Sequence, residues 1–233
     1  MPQAPSPRSA TSTPLRRAEY YALLTLLATA PRSARLVRAG LRLAGTMQLD
    51  GPHRPIQFRP AAEAGALDPL PVAGEAADLL FRIHGISFRC DATVERTADR
   101  GDSVYLLPAV IEWSVRGFRV GGVSYSMEPS EAHLRRPDGR AARLPVLSIH
   151  DDEVLLLGWP MPQGIEPGMT CSASLLLGRY RAQGIQVELK AAQAVFPGSA
   201  GRIVRAGVGA GSAQLGKIVM TLVQAPERRT EPV

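Results

Sequence analysis

Two short stretches of the chain carry side chains whose types and spacing suit ligand binding. The first is R-G-F-R, with Arg116 and Arg119 three residues apart. Arginine forks hold phosphate groups through paired hydrogen bonds and stack on flat rings, so this stretch suits a phosphate-bearing ligand. The second is S-I-H-D-D-E, which runs from Ser148 to Glu153 and ends in three consecutive acids. Each stretch has a second interpretation, as solvated charges on a hinge or on a turn.

Metal binding and catalysis are two further chemistries, and the sequence favours neither. His150 and the acids at 151–153 are possible metal ligands. Consecutive residues rarely converge on one ion, however, and no second set of His or Cys lies nearby in sequence. No G-x-S-x-G, H-E-x-x-H or P-loop pattern occurs, and the glycines at 207–211 lack the spacing of a dinucleotide loop. The sequence therefore predicts no metal site, no cofactor and no enzymatic activity.

The first half of the chain predicts one helix and about six short strands. Apolar residues between 16 and 29 recur at helical spacing, and Pro31 ends that helix. From residue 36 onward the period changes to short alternating runs, such as 79–84 and 86–95 on either side of a glycine. Short strands at this spacing are typical of a small barrel.

The second half continues in the same style and closes with a helix. A strand is predicted over 118–127, and R-R-P-D-G-R at 135–140 is a hairpin turn, because Pro fixes φ and Gly accepts a positive φ. Apolar residues over 215–223 return to helical spacing. Since strands and helices do not alternate, the predicted fold is mainly β. It consists of two small antiparallel β-barrels joined near residues 113–118, with a short N-terminal helix and a C-terminal helix.

The composition of the chain limits which partners and which cellular compartment we expect for the protein. The net charge is +6, but aromatic residues make up only 5% and the arginines are spread out, so nucleic-acid binding is not expected. The apolar run from Tyr20 to Ala30 is too short to cross a bilayer, which needs about 20 residues. Cys90 and Cys171 lie far apart and fit two thiols in a reducing compartment. We therefore expect a cytoplasmic protein without membrane insertion.

The stretch Y-L-L-P-A-V-I-E-W-S-V-R-G-F-R-V, residues 105–120, resembles the crossing between the two domains of flagellar brake proteins of the PilZ family. Pro108, Phe118, Arg119 and Val120 occupy the places of that crossing's proline and of its closing aromatic–Arg–aliphatic run. Residues 134–158 are similar to the hairpin and the next two strands of a PilZ barrel, and I-E-P-G-M-T at 165–170 resembles its Pro-Gly turn. The stretch upstream, 17–112, resembles the smaller N-terminal barrel of flagellar brakes.

The resemblance implies a division of the chain and a ligand. The implied segments are a disordered tail (1–14), an N-terminal flagellar-brake-like domain (15–112), a hinge (113–120), a PilZ-like barrel (118–225) and a second disordered tail (226–233). Proteins of this family bind cyclic di-GMP through R-x-x-x-R in the hinge and D/N-x-S-x-x-G on the barrel. Binding reorients the two barrels and exposes a surface for the flagellar motor.

Both family motifs are altered in this chain. Arg119 matches the second arginine of R-x-x-x-R, whereas Val115 stands in the first place and Arg116 follows one residue late. The resemblance implies that Arg119 is the main phosphate contact, that Arg116 is a substitute partner, and that the residues at 148 and 150 line the site. In the second motif the positions of Asp/Asn, Ser and Gly are held by Ser148, His150 and Glu153. The acids at 151–153 would repel phosphates, so we expect weakened or lost nucleotide binding.

Three hypotheses about function follow. The first is a regulator in cyclic di-GMP-linked control of flagellar motility that acts on a protein partner, a flagellar motor component by resemblance. The second is a ligand-independent PilZ-like scaffold or interaction protein in another surface or secretion process. The third, an enzyme built on a barrel such as a split-barrel flavin enzyme, would give a yellow protein, and no residue pattern supports it.

Overall fold

The computed structural model describes residues 12–38, 41–51, 53–61, 71–98, 102–126, 129–150 and 152–224. Over these residues the chain is mainly β and forms two six-stranded antiparallel barrels. Two helices lie within the described residues, one near the start of the chain and one near its end. The predicted fold class is therefore confirmed.

The first barrel is built from strands whose side chains alternate between core and surface, as period-2 apolar patterns require. Its strands run in the order β7-β4-β3-β2-β5-β6, and the pairing of β6 with β7 closes the barrel. The short strand β1 adds to β7 from outside the ring. The elements are β1 (Thr13–Pro14), α1 (Arg17–Leu27), β2 (Arg32–Arg38), β3 (Leu41–Leu49), β4 (Ile56–Pro60), β5 (Ala76–Ile83), β6 (Ile86–Thr97) and β7 (Val104–Ser114).

The second barrel closes in the same way, in the order β10-β13-β14-β15-β12-β11, with β10 paired to β11. A small hairpin, β8 and β9, extends this sheet, because β8 pairs in parallel with β11. The elements are β8 (Phe118–Val120), β9 (Val123–Tyr125), β10 (Ser130–Arg135), β11 (Ala141–His150), β12 (Glu153–Gly158), β13 (Thr170–Leu177), β14 (Tyr180–Ala194), β15 (Arg202–Val208) and α2 (Ser212–Val223).

Two of the hairpin turns contain residues with positive φ angles. His84 and Gly85, between β5 and β6, have φ angles of 51° and 84°. Gly121 and Gly122, between β8 and β9, have φ angles of 53° and 85°. Two-residue hairpin turns need positive φ at their centre, which glycine adopts without steric cost. The strand predicted over 118–127 is therefore two strands joined by a Gly-Gly turn.

The tails differ in how far the structure describes them. The predicted tail over 1–14 ends in ordered chain: Thr13 pairs with Trp113, and the Ser12 hydroxyl donates to the Glu112 carboxylate at 2.7 Å. This ordering arises because β7 offers an edge on which a short segment can pair. Residues 1–11 and the predicted tail over 226–233 lie outside the described residues.

The two barrels share one apolar cluster, which joins them directly. Trp113 of β7 stacks on Trp159, which follows β12, with ring centroids 4.6 Å apart. Phe88 of the first barrel and Phe196 of the second contact each other and Trp159 at centroid distances of 5.9–6.3 Å. Such aromatic contacts add about 0.5–1.5 kcal/mol per pair beyond the burial of apolar area.

A buried carboxylate also spans the junction. Glu19 of α1 is only 5% exposed. One of its oxygens accepts hydrogen bonds from the Trp159 indole N–H at 3.0 Å and from the Ala200 backbone N–H at 2.9 Å. The other accepts from the Arg16 backbone N–H at 3.2 Å. A buried charge is tolerated only when it is hydrogen-bonded in this way, so the N-terminal helix is fixed to the second barrel.

Candidate functional site

A cavity of about 760 Å³ lies between the two barrels, beside the linker that joins them. Its volume falls within the range of typical small-molecule sites, which is roughly 300–1,000 Å³. One wall comes from the turn at the end of β5, and the other from the β8–β9 hairpin together with β11, β12, β14 and β15. The polar lining residues are Arg82, His84, Arg119, Ser124, Ser148, His150 and Gln193.

The second-barrel wall places Arg119 and Ser148 side by side. The parallel pairing of β8 with β11 sets Ser148 directly opposite Arg119. The Arg119 guanidinium donates from Nη2 to the carbonyl of Gly122 at 3.0 Å, which ties its exposed side chain to the tip of its own hairpin. A guanidinium has five N–H donors, so most remain available to a ligand.

Ser148 is the unusual residue of this wall. It is 6% exposed, and its hydroxyl oxygen has no hydrogen-bond partner within the described part of the chain. Leaving a buried hydroxyl without a partner costs about 1–3 kcal/mol. A polar atom in this position at a cavity wall indicates a place where a ligand atom completes the hydrogen bonding.

The first-barrel wall contributes Arg82, which is half-buried. Burial lowers the pKa of its guanidinium, and the positive charges of Arg119, Arg35 and Arg116 lower that pKa further. Arg35 and Arg82 belong to paired strands of the first barrel, β2 and β5, whereas Arg119 belongs to the second barrel. Arginines from both barrels therefore lie near the same space. Repulsion of this kind is relieved when an anion sits among the guanidiniums.

Arg116, unlike Arg119, affects the cavity only through its charge. It lies between β7 and β8 on non-strand backbone, is exposed, and does not line the cavity. Its charge is nevertheless close enough to lower the pKa of Arg82. Arg116 therefore adds to the positive field at the cavity without forming part of its wall.

Neither Asp152 nor Glu153 lines the cavity, although Glu153 lies directly opposite the lining residue His150 in the pairing of β11 with β12. The Glu153 carboxylate accepts from Lys190 Nζ at 2.9 Å and lies 3.5 Å from Arg205 Nε. The hydrogen bond from Lys190 lowers the pKa of Glu153. Asp152 lines a separate depression beside Lys190 and Gly207, and Asp151 lies outside the described residues. The expected repulsion between a phosphate ligand and Glu153 is thus weakened by the pairing of Glu153 with Lys190 and Arg205.

The remaining lining suits a ligand with both charged and flat apolar parts. Leu155 is a half-buried apolar residue of the lining, whereas Leu147 and Ile203 are only 3% and 4% exposed. No carboxylate lines the cavity among the described residues, so an anion at the arginines would meet no competing acid there. The arrangement fits a phosphate-bearing ligand with aromatic rings.

The described residues were also compared with the requirements of a metal site, a membrane span and a reactive thiol, and they meet none of them. No three His, Cys, Asp or Glu side chains come together as a metal site in the described ranges. Neither helix of the described chain is long and apolar enough to cross a membrane. Both cysteines are free and buried, and burial raises the pKa of the Cys90 thiol to about 12. A thiol with such a pKa is a poor nucleophile near neutral pH.

The structure thus brings three of the four predicted site residues to one cavity: Arg119, Ser148 and His150 line it, whereas Arg116 stands outside. The sequence interpretation missed Arg82, His84 and Gln193. Arg82 and His84 precede the motif region by more than thirty residues and belong to the other barrel. One sequence feature could have pointed to this wall of the cavity. The H-G pair at 84–85 can form a tight turn, and it lies two residues after Arg82.

Comparisons with known proteins found matches among solved structures alone. No protein-family model and no curated protein matches the chain. Among solved structures, one titled as the complex of K. pneumonia MrkH with c-di-GMP is 11% identical, with 94% of this chain and 99% of that chain covered and a TM-score of 0.39. Escherichia coli YcgR in complex with c-di-GMP is 12% identical, with 88% and 89% covered and a TM-score of 0.36.

A third structure is titled as the Bacillus subtilis inhibitor of motility, MotI/DgrA. It is 8% identical, with 83% of this chain and 94% of that chain covered and a TM-score of 0.33. At such identities and TM-scores, ligand and partner have to be argued from this chain's own residues.

Proposed function

We propose that this chain is a non-enzymatic regulator that binds cyclic di-GMP in the cavity between its barrels and acts on flagellar motility through a protein partner. The observation that carries the proposal is the position of Arg119, Ser148 and His150 on one cavity wall. These are the residues that stand in the places of the ligand-binding motifs of the PilZ family. Their meeting depends on the parallel pairing of β8 with β11.

Each part of cyclic di-GMP has a matching group in this site. Arg119 offers paired N–H donors to a phosphate. The unpartnered hydroxyl of Ser148 and the ring nitrogens of His150 can bond the polar edge of a guanine. A guanine face can pack on Leu155, a half-buried apolar residue that lines the cavity. The ligand thus satisfies a buried polar atom and reduces repulsion among cations.

Binding is expected to be weaker than with two intact motifs. Val115 offers no charge, and Arg116 does not line the cavity. Loss of one hydrogen bond to a charged group costs about 1.5–3 kcal/mol, or roughly 10- to 150-fold in affinity. The acids add less to this loss than the sequence indicates, because Glu153 is paired with Lys190.

The partner and the compartment follow from the sequence resemblance. A flagellar motor component is the partner proposed for the ligand-bound form. Two buried free thiols suit a reducing compartment, which supports a cytoplasmic location.

Isothermal titration calorimetry of the purified protein with cyclic di-GMP tests the proposed ligand. The variant Arg119→Ala is compared with Arg143→Ala, which removes an exposed arginine from the same strand as Ser148 but outside the cavity. We expect measurable binding that Arg119→Ala weakens at least tenfold and Arg143→Ala leaves unchanged. Absence of heat at millimolar ligand, together with no thermal shift, would remove the nucleotide from the proposed function.

A second candidate is the ligand-independent scaffold, and the interface between the barrels favours it. The chain's own side chains fix the barrels together. Trp113 stacks on Trp159, and Glu19 accepts hydrogen bonds from two donors of the second barrel. A fixed arrangement can present a constant binding surface without a ligand. If calorimetry detects no binding, full complementation by Arg119→Ala of a strain that lacks this protein supports this candidate, because a ligand-independent role does not need the cavity arginine.

A further inference from the structure

One arginine of the cavity has no counterpart in the altered motifs. Arg82 lies near the end of β5 in the first barrel and faces Arg119 of the second barrel across the same space. Its Nε donates to the Ser87 hydroxyl at 3.3 Å, a weak bond near the distance limit. Within the described part of the chain, its two terminal nitrogens make no hydrogen bond or ion pair.

The neighbouring strand shows how an arginine of this barrel is normally stabilised. Arg89 on β6 forms ion pairs with Asp78 at 3.1 Å and with Asp91 at 3.0 Å. Arg82, in contrast, is half-buried with Arg35, Arg116 and Arg119 as its charged neighbours. Burying a guanidinium among like charges is unfavourable for the folded chain, so a purely structural role does not account for this position.

The turn that follows Arg82 brings it to the cavity. His84 and Gly85 reverse the chain within two residues, and both line the cavity beside Arg82. The turn therefore presents the end of β5 to the β8–β9 hairpin, whose tip holds Arg119 through the carbonyl of Gly122. Two hairpin tips, one from each barrel, stand at the same opening.

We propose that Arg82 of the first barrel supplies the second phosphate-binding guanidinium, the one missing at position 115, so that a ligand with two phosphates is held by one arginine from each barrel. This inference rests on the proposed function and names the residue that completes its site. A guanidinium from outside the linker restores the charge that Val115 removes. Affinity then depends on both barrels and on their fixed arrangement.

Calorimetric titration with cyclic di-GMP of four variants tests the proposal. Arg82→Ala removes the guanidinium, and Arg82→Lys keeps the charge without the planar fork. Arg119→Ala reports on the second-barrel contact. The matched control is Arg42→Ala, an exposed arginine of β3 in the first barrel that does not line the cavity. Thermal unfolding of each free variant is measured alongside.

We expect Arg82→Ala to weaken binding about 10- to 100-fold, Arg82→Lys to weaken it less, and Arg42→Ala to match the parent protein. Arg82→Ala should also unfold at the same or a higher temperature than the parent, because it removes a repelled charge. Binding by Arg82→Ala equal to the parent, with Arg119→Ala impaired, would overturn the inference and leave the proposed function in place. A parent protein that does not bind the nucleotide would overturn both.

Discussion

Single residues at this site show how position changes the meaning of a motif. Arg119 and Arg116 are separated by two residues, yet one lines the cavity and the other contributes only its charge. Glu153 stands where the family motif has glycine, but its carboxylate pairs with Lys190 on another strand. Ser148, which replaces an acid or amide of the motif, has a buried hydroxyl without a hydrogen-bond partner among the described residues. Each side chain's role is therefore decided by what lies across the sheet from it.

Ser148→Ala separates binding from stability at the residue scale. Because the hydroxyl makes no hydrogen bond within the described chain, its removal should leave the free energy of unfolding unchanged or raise it by up to about 1 kcal/mol. If cyclic di-GMP bonds this hydroxyl, its affinity should fall roughly 3- to 10-fold. Urea denaturation and calorimetry measure the two effects.

The matched control for that variant is Ser172→Ala, which removes an exposed hydroxyl from β13. Ser172→Ala should change neither the free energy of unfolding nor the affinity for cyclic di-GMP. A loss of stability above about 1 kcal/mol in Ser148→Ala would contradict the assignment of an unpartnered hydroxyl, since it would mean that a structural hydrogen bond had been broken.

At the scale of elements, the linker between β7 and β8 fixes the direction in which Arg119 points. Gly117 has a φ of 74°, and a Cβ atom there would clash with the carbonyl oxygen of Tyr125. Only glycine fits this close approach of the linker to β9. The β8–β9 hairpin is held in turn by the stacking of Phe118 on Tyr125, with ring centroids 5.8 Å apart.

Gly117→Ala should therefore destabilise the protein by roughly 3 kcal/mol or more and weaken cyclic di-GMP binding, because the hairpin must move to admit the methyl group. Gly121→Ala is the control: it also has a positive φ, but a Cβ atom there meets nothing within 4 Å. Its cost should be limited to backbone strain of about 1 kcal/mol. Equal losses of stability for the two variants in urea denaturation would contradict the close approach at Gly117.

Sequence patterns predicted the elements better than they predicted the site. Alternating apolar residues revealed the strands on either side of Gly85, because burial of one face determines the pattern along each strand. The Gly-Gly turn at 121–122 was missed, since two glycines within an apolar run do not interrupt its alternation strongly. Arg82 was not identified, because the cavity wall that it faces comes from the second barrel and a lone arginine on a strand is ordinary. The pairing of Glu153 with Lys190 depends on the register of non-adjacent strands and could not be inferred from the motif.

At the scale of the whole molecule, the two barrels behave as parts of one packed body. Trp159 contacts Trp113 and Phe88 of the first barrel as well as Phe196 of its own. Its indole N–H also donates to Glu19 of α1. A ligand can shift the barrel arrangement only if it binds an alternative arrangement much more tightly. The packed interface opposes such a shift, in contrast to the barrel reorientation that the family resemblance implies.

Small-angle X-ray scattering measures this property directly. We expect the radius of gyration to stay constant when cyclic di-GMP saturates the protein, because the aromatic cluster and Glu19 hold the barrels in place. Trp159→Ala removes the centre of the cluster and should make the radius of gyration larger, or dependent on the ligand. A clear change in the parent protein on ligand addition would show that the interface opens and would contradict the fixed arrangement.

The proposed nucleotide site is one cavity built from both barrels. Hydrogen–deuterium exchange of the intact protein with and without cyclic di-GMP tests it most directly, because the turn amides at 84–85 and 121–122 belong to different barrels and border the same cavity. We predict that the ligand slows exchange at both turns together. Slowing at neither turn, or at the second-barrel turn alone, would contradict a site shared by the two barrels.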